Sequence, residues 1–246
     1  MIRLVDVWKR FGTKKVLRGV SLTIEDGETV AILGKSGTGK TVTLKHILGL
    51  LYPDRGEVYV DGLRVDRAGR KELYALRRRF GYVFQGAALF DSMTVFENVA
   101  LPLVEQKRFS REEIRRRVEQ ALAMVDLTGT ATLYPAELSG GMRKRVGIAR
   151  AIVHAPEFLL YDEPTAGLDP VTADRINDLM LNLKENLDVT GVMVTHDLRS
   201  ALRVADRLVL LEGGEVVVDT PVARVEEVNH PAFRQFLEAS GIMHGR

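Results

Sequence analysis

Apolar and polar residues alternate along 2–9 and again along 16–24, with Gly12 and Thr13 between the two runs. That period-two pattern predicts paired strands with one wet face. Residues 29–33, Thr-Val-Ala-Ile-Leu, form an unbroken apolar run that ends at a glycine, as in a buried strand. From Gly39 the period lengthens, and Leu44, Ile47, Leu48 and Leu51 recur at helical spacing. A short strand is predicted at 81–85, whereas 86–155 reads mostly helical. Within it Ser110 and Glu113 stand at capping-box spacing, ahead of Ile114, Val118, Leu122 and Val125 on one face. Apolar strands return at 158–161 and 189–195 with a helix over 171–187 between them, an order that predicts parallel strands. Residues 206–219 predict a hairpin turning at Gly213-Gly214, and the tail from 221 predicts helix. The class is α/β: one domain over 1–246, with a helical subdomain at about 86–155 and a tail at about 221–246.

The composition narrows what such a fold can do. With 46% hydrophobic residues the chain of 246 residues can bury a real core. Lys plus Arg total 35 against 33 Asp plus Glu, so a net charge of +2 gives no surface-wide attraction to nucleic acid. There is no cysteine, which excludes disulfides and thiolate metal sites. No run approaches the ~20 apolar residues that span a bilayer, and Asp6 interrupts the start before any secretory signal could form. Membrane contact is therefore expected only through a partner or a surface.

The strongest chemistry lies in Gly34-Lys35-Ser36-Gly37-Thr38-Gly39-Lys40-Thr41, which fits G-x-x-x-x-G-K-[ST] at every position. Glycines let backbone N–H groups converge on phosphate oxygens, and the following helix points its N-terminus at the same anion. Lys40 would reach the terminal phosphates and Thr41 would hold Mg²⁺. A second site is the strand end Tyr161-Asp162-Glu163. Ligands sit beyond the carboxyl ends of parallel strands. There Asp162 could hold Mg²⁺ and Glu163 could deprotonate an attacking water. A third is Leu138-Ser139-Gly140-Gly141-Met142, which leads into a helix; it reads either as an ordinary N-cap or as an anion site.

In this order the segments resemble the phosphate loop, LSGGQ signature and Walker B motif of ABC ATPases, and the resemblance runs from about residue 2 to 240. It implies a P-loop NTPase core with an antiparallel β subdomain and a helical insert. It implies that ATP and Mg²⁺ are bound, that ADP and phosphate are the products, and that Thr43 joins the nucleotide-binding set. Phe11 resembles the aromatic that stacks on adenine, a core aromatic being the other reading. Gln85 resembles the Q-loop glutamine near Mg²⁺. Asp169 resembles the D-loop aspartate, and His196 the switch histidine on the γ-phosphate. Ser139 and Gly141 would contact ATP held by a second copy of the chain. An integral-membrane permease is the implied partner, at the cytoplasmic face of the inner membrane.

The signature departs from the family at Met142, where glutamine is usual. LSGGM, the segment 83–99 and the tail Pro231–Leu237 are similar to the ATPases of MCE-type (Mla-like) phospholipid transporters, which implies an MCE-domain partner. Within 83–99, Leu89, Phe90 and Phe96 are candidates to line a groove for a permease helix, core packing being the alternative. The rival readings are an ATPase of another importer, such as one for amino acids, and an ABC protein of DNA repair or translation. Against the latter, the chain carries one motif set and no sustained heptads. A dead nucleotide-binding module is disfavoured because Lys40, Glu163 and His196 are all present. The basic clusters at 77–79, 115–117 and 143–145 read as solvated helix faces.

Overall fold

The computed structural model describes residues 1–240, so the last six residues of the expected tail helix lie outside the described part. The chain runs through β1 (Ile2–Phe11), β2 (Lys14–Ile24), β3 (Thr29–Leu33), α1 (Lys40–Ile47), β4 (Arg55–Val60), β5 (Leu63–Arg64) and α2 (Arg70–Arg77). It continues through β6 (Phe80–Val83), α3 (Val95–Glu105), α4 (Arg111–Met124), α5 (Gly140–Ile152), β7 (Phe158–Asp162) and α6 (Pro170–Asn186). It closes with β8 (Thr190–Thr195), α7 (Leu198–Val204), β9 (Arg207–Glu212), β10 (Glu215–Pro221) and α8 (Pro231–Ala239). Two compact units result: one of residues 1–77 with the described residues from 188 onward, the other of 78–187.

In the first unit β3 is the axis. All five of its residues are buried, and it pairs in parallel with β8 on one side and β9 on the other. β10 pairs antiparallel with β9 at the edge. A separate antiparallel sheet has the order β2-β1-β4-β5. Its register slips at Asp6, where β1 bulges. Asp6 adopts a left-handed φ of 48°, and its carboxylate takes the Trp8 indole N–H at 2.6 Å and the Arg55 guanidinium at 2.9 Å. Gly56 of β4 lies over this bulge at φ 94°, and a Cβ there would stand 2.1 Å from the Asp6 carbonyl oxygen.

In the second unit β6 and β7 pair in parallel, with Phe80 stacked on Phe158 at 4.7 Å. Ser110 caps α4 by accepting the Glu113 N–H at 3.1 Å, as the spacing predicted. Thr94 and Glu97 form a full capping box on α3. Buried Asn98 ties down the loop before α3, accepting the Phe90 N–H and donating to the Phe90, Met93 and Thr94 carbonyls. These polar contacts hold a loop that has little apolar surface of its own to bury.

Several expectations are corrected. The tail is a 3₁₀ turn over Val222–Glu227, and helix begins only at Pro231, whose fixed φ suits a first helical position. The strand expected at 81–85 ends at Val83, so Gln85 lies in the loop beyond it. β4, β5 and α2 were not read from the sequence; α2, Arg-Lys-Glu-Leu-Tyr-Ala-Leu-Arg, is mostly polar and buries only Leu73 and Leu76. Two basic clusters are not free solvated faces. Arg77 donates to the Leu48 and Gly49 carbonyls, and Arg79 pairs with Glu157. Arg143 donates to the Leu138 carbonyl, Arg145 to that of Val125, and Lys144 is 6% exposed.

The bulge makes a stability test. Gly56→Ala combines a left-handed φ with a backbone clash and is expected to cost at least about 2 kcal/mol in urea unfolding. Gly62→Ala, at φ 79° but facing open space, is expected to cost about half as much. Equal losses at the two sites would remove the packing explanation.

Candidate functional site

The first unit supplies an anion cradle. β3 ends at Leu33, and the loop turns through Gly39 into α1. Gly39 has φ 108°, and a Cβ there would meet a Leu17 methyl at 2.5 Å. Because a glycine is the N-cap, no side chain caps α1, and its first turn carries no acidic residue. The helix N-terminus therefore turns its positive end, uncapped by a side chain, towards an incoming anion. Lys40 is buried, and its ammonium donates to the Gly34 carbonyl at 2.7 Å and the Lys35 carbonyl at 3.3 Å. Thr38 Oγ1 closes the loop onto the same Lys35 oxygen at 2.9 Å. Lys35, Ser36 and Gly37 are exposed, and Thr41 is half-buried in the first turn of α1. Thr43 is fully buried, and its hydroxyl donates to the Gly39 carbonyl at 3.1 Å.

His196 is exposed just past β8, ahead of Asp197, which caps α7 by accepting the Arg199 N–H at 3.0 Å. A cleft of about 390 Å³ brings Gly34, Lys35, Thr38 and His196 together with Gln235 and Phe236 of α8. Phe11 ends β1 at 46% exposure, so it is not a core aromatic, and the Lys9 ammonium lies 5.7 Å from its ring centre.

The second unit supplies carboxylates. Asp162 ends β7, and its Oδ2 accepts the Tyr82 hydroxyl at 2.9 Å. Burial, together with the charge of Asp162, pushes the Tyr82 hydroxyl far above its ordinary pKa, so it stays a proton donor. Glu163 follows at φ 50°, a left-handed conformation that a non-glycine residue holds only under constraint. That constraint includes the Lys144 ammonium, which donates to the Glu163 carbonyl at 3.3 Å and also to the Gln85 carbonyl. The Gln85 residue is exposed. Ser139 is the N-cap of α5 and accepts the Met142 N–H at 3.2 Å, with Gly140 and Gly141 in the first helical turn. At Gly141 a Cβ would stand 2.7 Å from a Thr172 methyl, so α5 begins against the first turn of α6. Asp169 caps that turn by accepting the Thr172 N–H at 3.0 Å, and hydrogen bonding to the Thr172 side chain and backbone holds its carboxyl below the usual pKa. Signature and D-loop therefore share one corner of this unit.

In the second unit Gln85 offers an amide oxygen and Asp162 a carboxylate, and in the first unit Thr41 offers a hydroxyl; each is a hard donor of the kind Mg²⁺ prefers. Among the described residues no group of three or more His, Cys, Asp or Glu could hold a metal. Sequence reasoning missed Tyr82, Lys144, Arg150 and the α8 wall of the cleft. For Lys144 the helical spacing signalled burial, since it stands four residues before Ile148 on the buried face of α5, but nothing local signalled its partners.

The family model described as ABC transporter matches residues 17–166. The probable ribonucleotide transport ATP-binding protein mkl of Mycobacterium tuberculosis is 42% identical over 241 residues, covering 98% of this chain and 67% of its own length. Methionine import ATP-binding protein MetN of Carboxydothermus hydrogenoformans is 44% identical over 225 residues, 91% of this chain and 66% of its own. Protein trigalactosyldiacylglycerol 3, chloroplastic, of Arabidopsis thaliana is 42% identical over 264 residues, 100% of this chain and 75% of its own. Among solved structures, the dimeric ATP-binding cassette MJ0796 in a post-hydrolysis state with ADP and Pi superposes at TM-score 0.82 and 38% identity, over 90% of this chain and 99% of that one.

Removing the buried ammonium tests the cradle. Lys40→Ala is expected to weaken ATP binding at least about tenfold, the scale of a lost charge-assisted contact. Titration with a fluorescent ATP analogue checks this, and unchanged affinity would count against the loop as a phosphate site.

Proposed function

This chain belongs to the ABC transporter family, and from that membership we propose that two copies sandwich two ATP molecules and drive a lipid-carrying permease. The chain is an ATPase coupled to transport. In the proposed site the loop 34–39 and Lys40 hold the phosphates, Phe11 stacks on the base, and His196 meets the γ-phosphate. Thr41, Asp162 and Gln85 would hold Mg²⁺, which supplies charge neutralisation across phosphate oxygens. Glu163 takes the proton of the attacking water. Ser139 and Gly141 reach the ATP of the second copy, and Asp169 lies beside them. The likeness to a cassette solved as a dimer supports this arrangement, as does the exposure of Ser139 at the start of α5.

The permease dock is assigned to a groove of about 440 Å³ between α3 and α4. Phe96, Leu101, Val104 and Ile114 line it together with exposed Arg111 and Arg115 and with Glu97, whose carboxylate is taken up by the Thr94 capping box. Leu89 and Phe90, expected beside Phe96, are not among its lining residues. A short amphipathic permease helix carrying an acidic residue matches this chemistry. Among the described residues no helix is long and apolar enough to cross a membrane. The proposed permease contact would hold the chain peripherally, on the cytoplasmic face.

The single observation that carries the lipid reading is LSGGM at 138–142, taken with a plant relative whose name contains a galactolipid and which matches the whole chain. The MetN relative favours a second reading, import of an amino acid. Purification with the native membrane partners decides between them. The lipid reading expects a permease and an MCE-domain protein, and ATP-dependent phospholipid transfer between vesicles. Recovery with an amino-acid-binding protein instead would refute it and leave the ATPase intact. In the same preparation Glu163→Gln is expected to retain ATP yet lower turnover at least ~10²-fold.

The shared site has its own test. Lys40→Ala and Gly141→Asp chains are each expected to be inactive. Mixed, they form one site with both defects and one with none, so hydrolysis returns. Failure of mixing to restore any activity would contradict action in trans.

A further inference from the structure

Helix α5 begins at Ser139 and turns three further positions, Lys144, Gly147 and Arg150, towards the backbone that follows β6. The Lys144 ammonium donates to the Gln85 carbonyl and, at 3.3 Å, to the Glu163 carbonyl. Gly147 lets the chain pass closely, since a Cβ there would lie 3.2 Å from that of Ala87. Arg150 donates to the Ala88 carbonyl at 2.7 Å and to the Ala87 carbonyl at 2.5 Å. Ala87 and Ala88 both have left-handed φ, 59° and 48°, as Glu163 does at 50°. One helix thus grips, by two buried cations, four carbonyls that belong to a strained loop and to the residue after β7.

Lys144 and Arg150 act differently in this grip. Arg150 binds only the loop, and it completes a turn. Lys144 joins two segments that are otherwise separate in sequence. It is 6% exposed, so its ammonium has lost most of its water, and burial draws its pKa down while the charges of Glu163 and Asp162 hold it up. A side chain that only filled space here would be apolar, because burying an ammonium is expensive unless its donors are used.

We propose that Lys144 is a positioning residue that couples the signature helix to the catalytic glutamate, by fixing the backbones of Gln85 and Glu163 to α5 through one ammonium. This rests on the reading of Glu163 as the general base. Engagement of Ser139 by nucleotide pulls on α5, and Lys144 passes that displacement to both residues together. Misplacing a general base by about an ångström costs up to ~10²-fold in rate, whereas the phosphate contacts that set nucleotide affinity lie elsewhere. The effect therefore falls on kcat and spares KM.

The test uses Lys144→Met, which keeps bulk, and Lys144→Arg, which keeps charge and donors, each in the wild-type and the Glu163→Gln background. Steady-state and single-turnover hydrolysis are measured, with thermal melting as a check on folding. Lys144→Met is expected to lower kcat at least about tenfold with KM for ATP within about twofold, and Lys144→Arg to recover most of the rate. In the Glu163→Gln background, where no base remains to be positioned, the proportional loss caused by Lys144→Met is expected to shrink to the part that acts through Gln85. Wild-type kcat in Lys144→Met, a loss carried by KM, or the same proportional loss in both backgrounds would overturn the proposal. If Lys144→Met does not fold, Lys144→Gln takes its place under the same criteria. A wild-type rate in Glu163→Gln alone would instead refute the base reading, and the coupling with it.

Discussion

A polyphosphate must be held by groups that carry positive charge without offering it to water, and the end of β3 is built around that demand. Backbone N–H groups meet it only if nothing else uses them. An ordinary N-cap serine or aspartate would occupy the first-turn donors of α1. A glycine there adds no capping side chain, and the lack of an acidic residue in the first turn keeps the local potential positive. Lys40, buried beside the loop, fastens its ammonium to loop carbonyls, so the cation is prepositioned. The sheet answers the same need. A strand buried at every position, with parallel neighbours on both sides, gives the loop a rigid root.

The second unit solves a different problem with similar means. Its carboxylates must be close to buried and yet stay available for chemistry. Tyr82 is held protonated and orients Asp162 from one side. The chain leaves β7 through a left-handed backbone at Glu163, and cationic side chains of α5 hold its carbonyl and those of the loop after β6. Strain of about 1–3 kcal/mol at such a residue persists only where several contacts determine it. Because the same helix starts at the signature serine, the arrangement that sustains the strain is also one that can transmit movement.

How much of this could be read in advance follows from sequence distance. The phosphate loop is legible because its chemistry is local: strand, glycines, lysine and threonine lie within a dozen residues, and their spacing is their geometry. Asp162-Glu163 gains meaning only beside it. Ser139 is legible as a cap, and its bond to the Met142 N–H is also local. Lys144 was not legible as a working residue, because its partners lie 59 and 19 residues away and its neighbours in sequence are exposed or half-exposed arginines. Tyr82 and Asp162 are 80 residues apart. The charged runs misled for the same reason: composition suggests solvation, and only the fold reveals that Arg77 and Arg143 cap nearby carbonyls. β4 and α2 escaped because each offers too few apolar positions for a period to register.

Cargo is a harder matter than catalysis, and the reason is physical. Hydrolysis is done by residues that touch the nucleotide, so every member of the family needs nearly the same atoms in the same places. The cargo touches the permease. Relatives named for ribonucleotide transport, methionine import and a galactolipid resemble this chain to nearly the same degree, which is what a shared engine predicts. Information about the cargo can enter this chain only where the permease meets it. In the proposed dock, the apolar lining together with Arg111 and Arg115 would select a helix by shape and by an acidic partner. Charge at a rim chiefly sets which partner is accepted and how fast, while the apolar floor supplies the hold. The residues that distinguish one transport system from another are therefore to be sought along α3 and α4 and at Met142 in the first turn of α5, while the phosphate loop serves the shared chemistry.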